Sequence, residues 1–214
     1  MKILKVNTNN PDQKIIELTV RILTNGGLIV YPTDTAYGLG GNALDEKVIR
    51  KVYELKDRDF KKPTHVTVHN WKMINKLTFT NDFAKELYVT FTPGPLTIIL
   101  NKKSIVPDML TAGLPTLGVR IPKLAIIKRV SNFVDFPFTT PSANRSGGVA
   151  PYSISDVKKE LDIEKVDLIL DAGELPKVLP STIIDLTLDP PKILRQGPIS
   201  RNEIEKVLGI EVLV

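Results

Sequence analysis

Ser142 and Asn144 stand two residues apart in the segment Phe138–Gly148, between an apolar run and the pair Gly147-Gly148. Such a turn can offer backbone N–H groups and side-chain donors to an anion. Pro, Ser and Asn are also ordinary turn residues, so the segment alone is unspecific. Far upstream, Lys56-Asp57-Arg58 brings two cations close together. A helix C-terminus favours cations without any ligand. Taken together, an anion-binding turn and a Lys-x-Arg clamp suggest a site for the phosphates of a nucleotide. His65 and His69 share a face if their segment is a strand, which would let them ligate a metal. Ordinary edge or surface positions account for them better.

The elements that must position these residues come from an unexceptional chain. Its 214 residues suit one sizeable α/β domain or two small ones. Apolar residues make up 42% and charged residues 25%, as in an ordinary soluble protein. No apolar run approaches the roughly 20 residues that span a bilayer, and Met1–Asn7 has too short an apolar core for a secretion signal, so a cytoplasmic location is expected. The absence of cysteine excludes disulfides, zinc ribbons, iron–sulfur clusters and thiol nucleophiles. A net charge of +5 is compatible with binding ATP or RNA and establishes neither.

Strand and helix signals alternate along the chain. Asn10-Pro11-Asp12 reads as a helix start capped by Asn10, ending at Gly26-Gly27. Leu28–Tyr31 reads as a buried strand stopped by Pro32, and Thr33–Gly41 as a glycine-punctuated loop. A helix capped by Asp45 delivers Lys56 and Arg58 at its end. A strand over Thr64–Val68 precedes helices opening at Asn70 and Asn81. After the break at Pro93-Gly94-Pro95 come a strand over Leu96–Leu100 and one over Leu117–Ile121, with Arg120 facing away from Val119 and Ile121. A helix around Leu124–Val134, one from about Ser155, three late strands and a final helix behind the capping box Ser200–Glu203 complete the order. No repeat or linker divides it. The pattern predicts one domain over residues 1–214 with a mixed sheet.

Seven pieces in order resemble the YrdC/TsaC family, the threonylcarbamoyl-adenylate synthases. They are Tyr31–Leu39, Lys56-Asp57-Arg58, Thr92–Thr97, Leu117–Pro122, Pro141–Asn144, Pro180–Asp185 and Leu194–Pro198. The resemblance implies an α/β sandwich with a twisted mixed sheet around a large, positively lined cavity. It implies that L-threonine, bicarbonate or carbon dioxide, and ATP condense to threonylcarbamoyl-adenylate with release of pyrophosphate. Partner proteins then modify tRNA. Lys56 and Arg58 would be catalytic and would clamp ATP with Lys62, Ser142, Asn144 and Arg195. Mg2+ would bridge the phosphates. Thr35, Thr67, Arg120, Thr140 and Ser181 would hold threonine, Arg120 by its carboxylate. No residue is assigned to a metal.

The chain departs from that pattern around the clamp. Many relatives have a small residue at position 57, Pro at position 59 and a histidine at position 67, where this chain has Asp57, Asp59 and Thr67. The acids would weaken the clamp's field, and Lys61 and Lys62 would partly offset them. The loop Asp57–Pro63 is the candidate lid. The length resembles that of the single-domain members. The alternative is a paralogue of the same fold that binds double-stranded RNA or tRNA without catalysis, favoured by neither composition nor the scattered aromatics. A carbamoyl transferase with zinc modules is disfavoured by the lack of cysteine.

Overall fold

The computed structural model describes residues 2–214. Its first sheet has the strand order β1-β8-β2-β3. These strands are β1 (Lys2–Lys5), β8 (Leu168–Asp171), β2 (Ile29–Pro32) and β3 (Tyr37–Gly40). The second sheet runs β10-β9-β5-β6-β4-β7. It comprises β10 (Lys192–Arg195), β9 (Thr182–Asp185), β5 (Leu96–Asn101), β6 (Thr116–Arg120), β4 (Val66–Thr67) and β7 (Phe138–Thr139). Both sheets mix parallel and antiparallel pairs. The single mixed sheet expected from sequence is thus two. They meet along the free edge of β3, where bridges pair Gly38 with Ser142 and Asn42 with Phe138. The amides of Leu39 and Thr139 donate across this seam to the carbonyls of Pro141 and Gly41.

The helices cover the sheets unequally. One face of the first sheet carries α1 (Gln13–Thr24) and α6 (Ala125–Ser131), packed through Ile16, Leu23, Ile126 and Val130. Its other face carries α2 (Glu46–Leu55) and α7 (Ile154–Glu160), through Val48, Val52 and Val157. The second sheet turns Leu96, Ile98, Leu117, Val119 and Ile184 toward α3 (Trp71–Leu77), α4 (Asp82–Phe91) and α8 (Arg201–Leu208). Alternate residues of the same strands, among them Thr97, Gly118, Arg120 and Ile183, face the other way. Among the described residues no helix packs on them; they line cavities instead. Each aliphatic side chain on the packed face contributes about 1.5–3 kcal/mol by leaving water.

Local chemistry explains the ends. The Asn70 and Asn81 side chains accept from the amides of Met73 and Ala84, and Ser200 forms the expected capping box. One cap differs from expectation. Asp12, not Asn10, caps α1, because its carboxylate takes the Lys14 amide at 2.7 Å. The helix expected from about Ser155 starts at Ile154, behind a second capping box built by Ser153 and Asp156. A larger difference is β3, which occupies half of the segment read as a loop. Its glycines serve contact rather than bending: a Cβ on Gly40 would stand 2.8 Å from the Tyr31 ring. Tyr31 is fully buried against this strand.

Candidate functional site

The uncovered face of the second sheet meets the seam in a cavity of about 250 Å3. Six residues singled out by sequence line it: Thr35, Arg120, Thr140, Ser142, Ser181 and Arg195. Each comes from a strand end or from a turn beside one. Arg120 ends β6, where it registers with Thr67 on one side and Thr97 on the other. Ser181 precedes β9, Arg195 ends β10, and Thr140 and Ser142 follow β7. The turn that carries Thr35 is closed by Thr33, whose hydroxyl donates to the Ala36 carbonyl at 2.7 Å.

The side chains are tied together. Arg195 donates through Nε and Nη2 to the carbonyl and hydroxyl of Ser181, at 2.9 and 3.0 Å. The Ser181 hydroxyl lies 2.9 Å from that of Thr97. Arg120 donates from Nη2 to Asp34 at 2.5 Å and from Nη1 to the Thr35 hydroxyl at 3.2 Å. Tyr31 donates to Thr140 at 2.8 Å and stands 3.5 Å from the Thr67 hydroxyl. Burial pushes the Tyr31 hydroxyl above its usual pKa, keeping it a neutral donor. Burial also lowers both arginines, with Arg120 adding to the shift of Arg195. They stay charged, because a guanidinium starts so high.

The remaining assigned residues stand outside the cavity lining. Lys56 is buried, and its ammonium donates to the carbonyls of Ser142 and Asn144. Its own carbonyl accepts from the Ser146 amide at 2.8 Å. Desolvation, with Arg58 second, lowers its pKa to about 7. In this arrangement Lys56 staples the Ser-x-Asn turn to the end of α2, spending two of its three N–H donors on the turn. The turn itself differs from the open anion cradle expected. The amides of Ala143, Asn144, Arg145, Ser146 and Gly148 all donate within the protein, and the Asn144 side chain is held by Ser142 and the Arg145 carbonyl.

Arg58 donates to the carbonyls of Lys62 and Pro63, at 3.3 and 2.7 Å, and stacks over Tyr53. Lys62 is exposed, and its carbonyl also receives the Tyr53 hydroxyl. Phe60 stacks on Tyr53 at 5.0 Å. These contacts pin the loop expected to be a lid against α2. Asp57 adopts φ +48, a left-handed conformation easiest for glycine. Thr67 is buried 3.5 Å from the Tyr31 hydroxyl and does not line the cavity. Ala150, Tyr152, Val178 and Pro180 line the cavity instead.

His65 corrects the reading of the histidines. It lines this cavity and also a second of about 280 Å3 that continues along the same sheet face past Thr97, Gly118 and Ile183. Burial and the surrounding arginines hold its pKa down to about 3, so the ring is neutral. His69 lines a different cavity, of about 510 Å3, beside Tyr88 and Leu124, so the two histidines do not converge as ligands. Among the described residues no three His, Asp or Glu side chains gather to hold a metal. Sequence reading also passed over Tyr31 and Asp34. Both lie in the quoted Tyr31–Leu39 piece, where hydroxyls and glycines drew the attention.

The Sua5_yciO_yrdC family model, described as "Telomere recombination", matches residues 21–197. This chain belongs to that family. A Methanocaldococcus jannaschii relative named putative threonylcarbamoyl-AMP synthase is 40% identical over 200 residues, which are 92% of this chain and 94% of the relative. The solved structure of Pyrococcus abyssi Sua5 complexed with L-threonine superposes with TM-score 0.92 at 35% identity, over 99% of this chain and 62% of that one. The crystal structure of Escherichia coli YciO matches with TM-score 0.85 at 28% identity, over 95% of this chain and 98% of that one. The expected YrdC-like α/β architecture is therefore the observed one. Within the Sua5/YciO/YrdC fold, the cavity described above lies where the two sheets meet. No helix of the described residues is long and apolar enough to cross a membrane.

Proposed function

We propose that this protein synthesises L-threonylcarbamoyl-adenylate from L-threonine, bicarbonate or carbon dioxide, and ATP, as a cytoplasmic step toward tRNA modification by partner proteins. The observation that carries the reading is the convergence of Arg120 and Arg195 with the hydroxyls of Thr35, Thr140, Ser142 and Ser181 on one cavity, in a chain akin to a threonine-complexed Sua5.

The threonine carboxylate would pair with Arg120, and Thr35, Thr140 and Ser181 would receive the rest of the amino acid. No Asp or Glu lines the cavity. An ammonium beside two guanidinium groups is disfavoured, so the neutral amine, the nucleophile, is favoured. Its nitrogen bonds to the carbon of carbon dioxide and loses a proton. A carbamate oxygen then attacks the α-phosphorus of ATP, and the bond to the departing pyrophosphate breaks. Arg195 would stabilise the charge that grows on the phosphate oxygens, joined by Ser142 once its hydroxyl turns from Asn144. A cavity of about 250 Å3 is smaller than the roughly 300–1,000 Å3 typical of ligand sites. The nucleotide would therefore extend past His65 into the second cavity, toward Arg58 and Lys62. Magnesium carried on the ATP phosphates would neutralise part of their charge.

Pyrophosphate release from ATP, magnesium and bicarbonate should depend on L-threonine. It should fall at least a hundredfold in Arg195→Ala, the loss expected when a transition-state donor is removed. Release that ignores threonine would overturn the reading.

A further inference from the structure

Arg120 meets its ionic partner Asp34 at the boundary between two spaces. Arg120 lines the inner cavity. Asp34 lines an outer, more open cavity of about 540 Å3 with Lys123, Val178 and the loop Thr92–Pro95. Thr35 borders both. Asp34 and Arg120 bond at 2.5 Å, with side-chain exposures of 17% and 6%.

Three contacts fix the guanidinium. Nη2 donates to Asp34 Oδ1, Nη1 to Thr35 Oγ1, and Nε to the Gly94 carbonyl at 3.4 Å. A guanidinium has five N–H groups, so one on each Nη remains for a second carboxylate. The other Asp34 oxygen is held only by the Lys123 amide at 3.4 Å. Asp34 therefore lowers the cost of burying Arg120 and sets the plane of its fork, while leaving it donors for a ligand.

We infer that Asp34 is a positioning residue: through Arg120 it sets the affinity of the site for the carboxylate of an α-amino acid. The inference rests on the proposed reading of the cavity as a threonine site. It adds a role for an acid that touches no substrate in the inner cavity. Without the negative charge of Asp34, the buried guanidinium is less well held and its fork is free to rotate about the remaining bonds. A bidentate pairing loses most from such rotation.

Titration calorimetry with L-threonine and, separately, with ATP on wild type, Asp34→Asn and Asp34→Glu tests this. Asp34→Asn should weaken threonine binding at least tenfold and leave ATP binding within about twofold. Asp34→Glu should recover part of the loss. Steady-state assays should place the defect in KM for threonine rather than in kcat. Unchanged threonine affinity in Asp34→Asn would overturn the inference, as would an equal loss of threonine and ATP binding with a lowered melting temperature, the mark of a structural role. A wild type that binds no threonine would overturn the functional reading itself, which separates the two failures.

Discussion

His65 is faced by Arg120, Arg195 and Arg58, which together with burial disfavour its proton. Its folded pKa, about 3, lies below the ordinary 6.5 of a histidine. Between those values the unfolded chain binds a proton that the folded one does not. The contribution of His65 is thus fully present above pH 6.5 and is lost as pH falls toward 3, by about 1.4 kcal/mol per unit. His65→Gln should flatten the stability–pH curve between pH 6.5 and 4 relative to wild type, in urea titrations at each pH. Parallel curves would show that the ring is not held neutral. This environment was not legible beforehand, because a histidine beside a short strand carries no information about which cations other strands bring to it. Arg120 was legible for the opposite reason. It interrupts an apolar alternation, Leu117-Gly118-Val119-Arg120-Ile121, and the pleat then dictates its face.

At the scale of elements, the end of α2 and the Ser-x-Asn turn form one unit. Lys56 holds two carbonyls of the turn, and Ser146 returns a bond to the Lys56 carbonyl. Lys56→Met would leave both carbonyls without that donor, at about 1–3 kcal/mol for each group left unsatisfied. The relief of burying no charge partly offsets this. A net loss of about 2 kcal/mol is expected in chemical denaturation, with weaker ATP binding because Ser142 is no longer held. Full retention of stability and ATP affinity would sink the stapling role. Helix caps such as Asn70, Asn81 and Ser200 were readable because a cap needs only neighbours in sequence. The strand β3 was not. Its glycines look like turn residues until Tyr31, on the partner strand, is seen to require their bare Cα atoms. The contacts of the candidate lid Asp57–Pro63 were hidden similarly, since the stacking of Phe60 on Tyr53 joins residues that no local pattern links.

The whole molecule separates packing from chemistry across the second sheet. Ile98 packs in the core on the helix side and is 2% exposed, whereas Thr97, its neighbour, lines the second cavity and bonds Ser181. Ile98→Ala should cost about 2–5 kcal/mol of stability with threonine and ATP affinities of the folded protein unchanged. Thr97→Val should do the reverse, leaving the melting temperature within a few degrees while weakening binding through Ser181 and Arg195. Equal effects of the two substitutions on stability would contradict this division. The mixed α/β class was visible in the alternation of signals. The split into two sheets was not, because the seam depends on bridges between residues about a hundred positions apart, such as Gly38 with Ser142 and Asn42 with Phe138.

The one-sided covering of that sheet has an evolutionary corollary. Every second residue of β5, β6 and β9 answers to the helices, and the residues between them answer to the cavities and to the side chains that line them. The two sets can drift on separate clocks. A lineage of this fold can therefore trade one ligand for another by point changes on a single parity of strand positions. It keeps its interior untouched throughout, so a new specificity need not first survive a weakened scaffold.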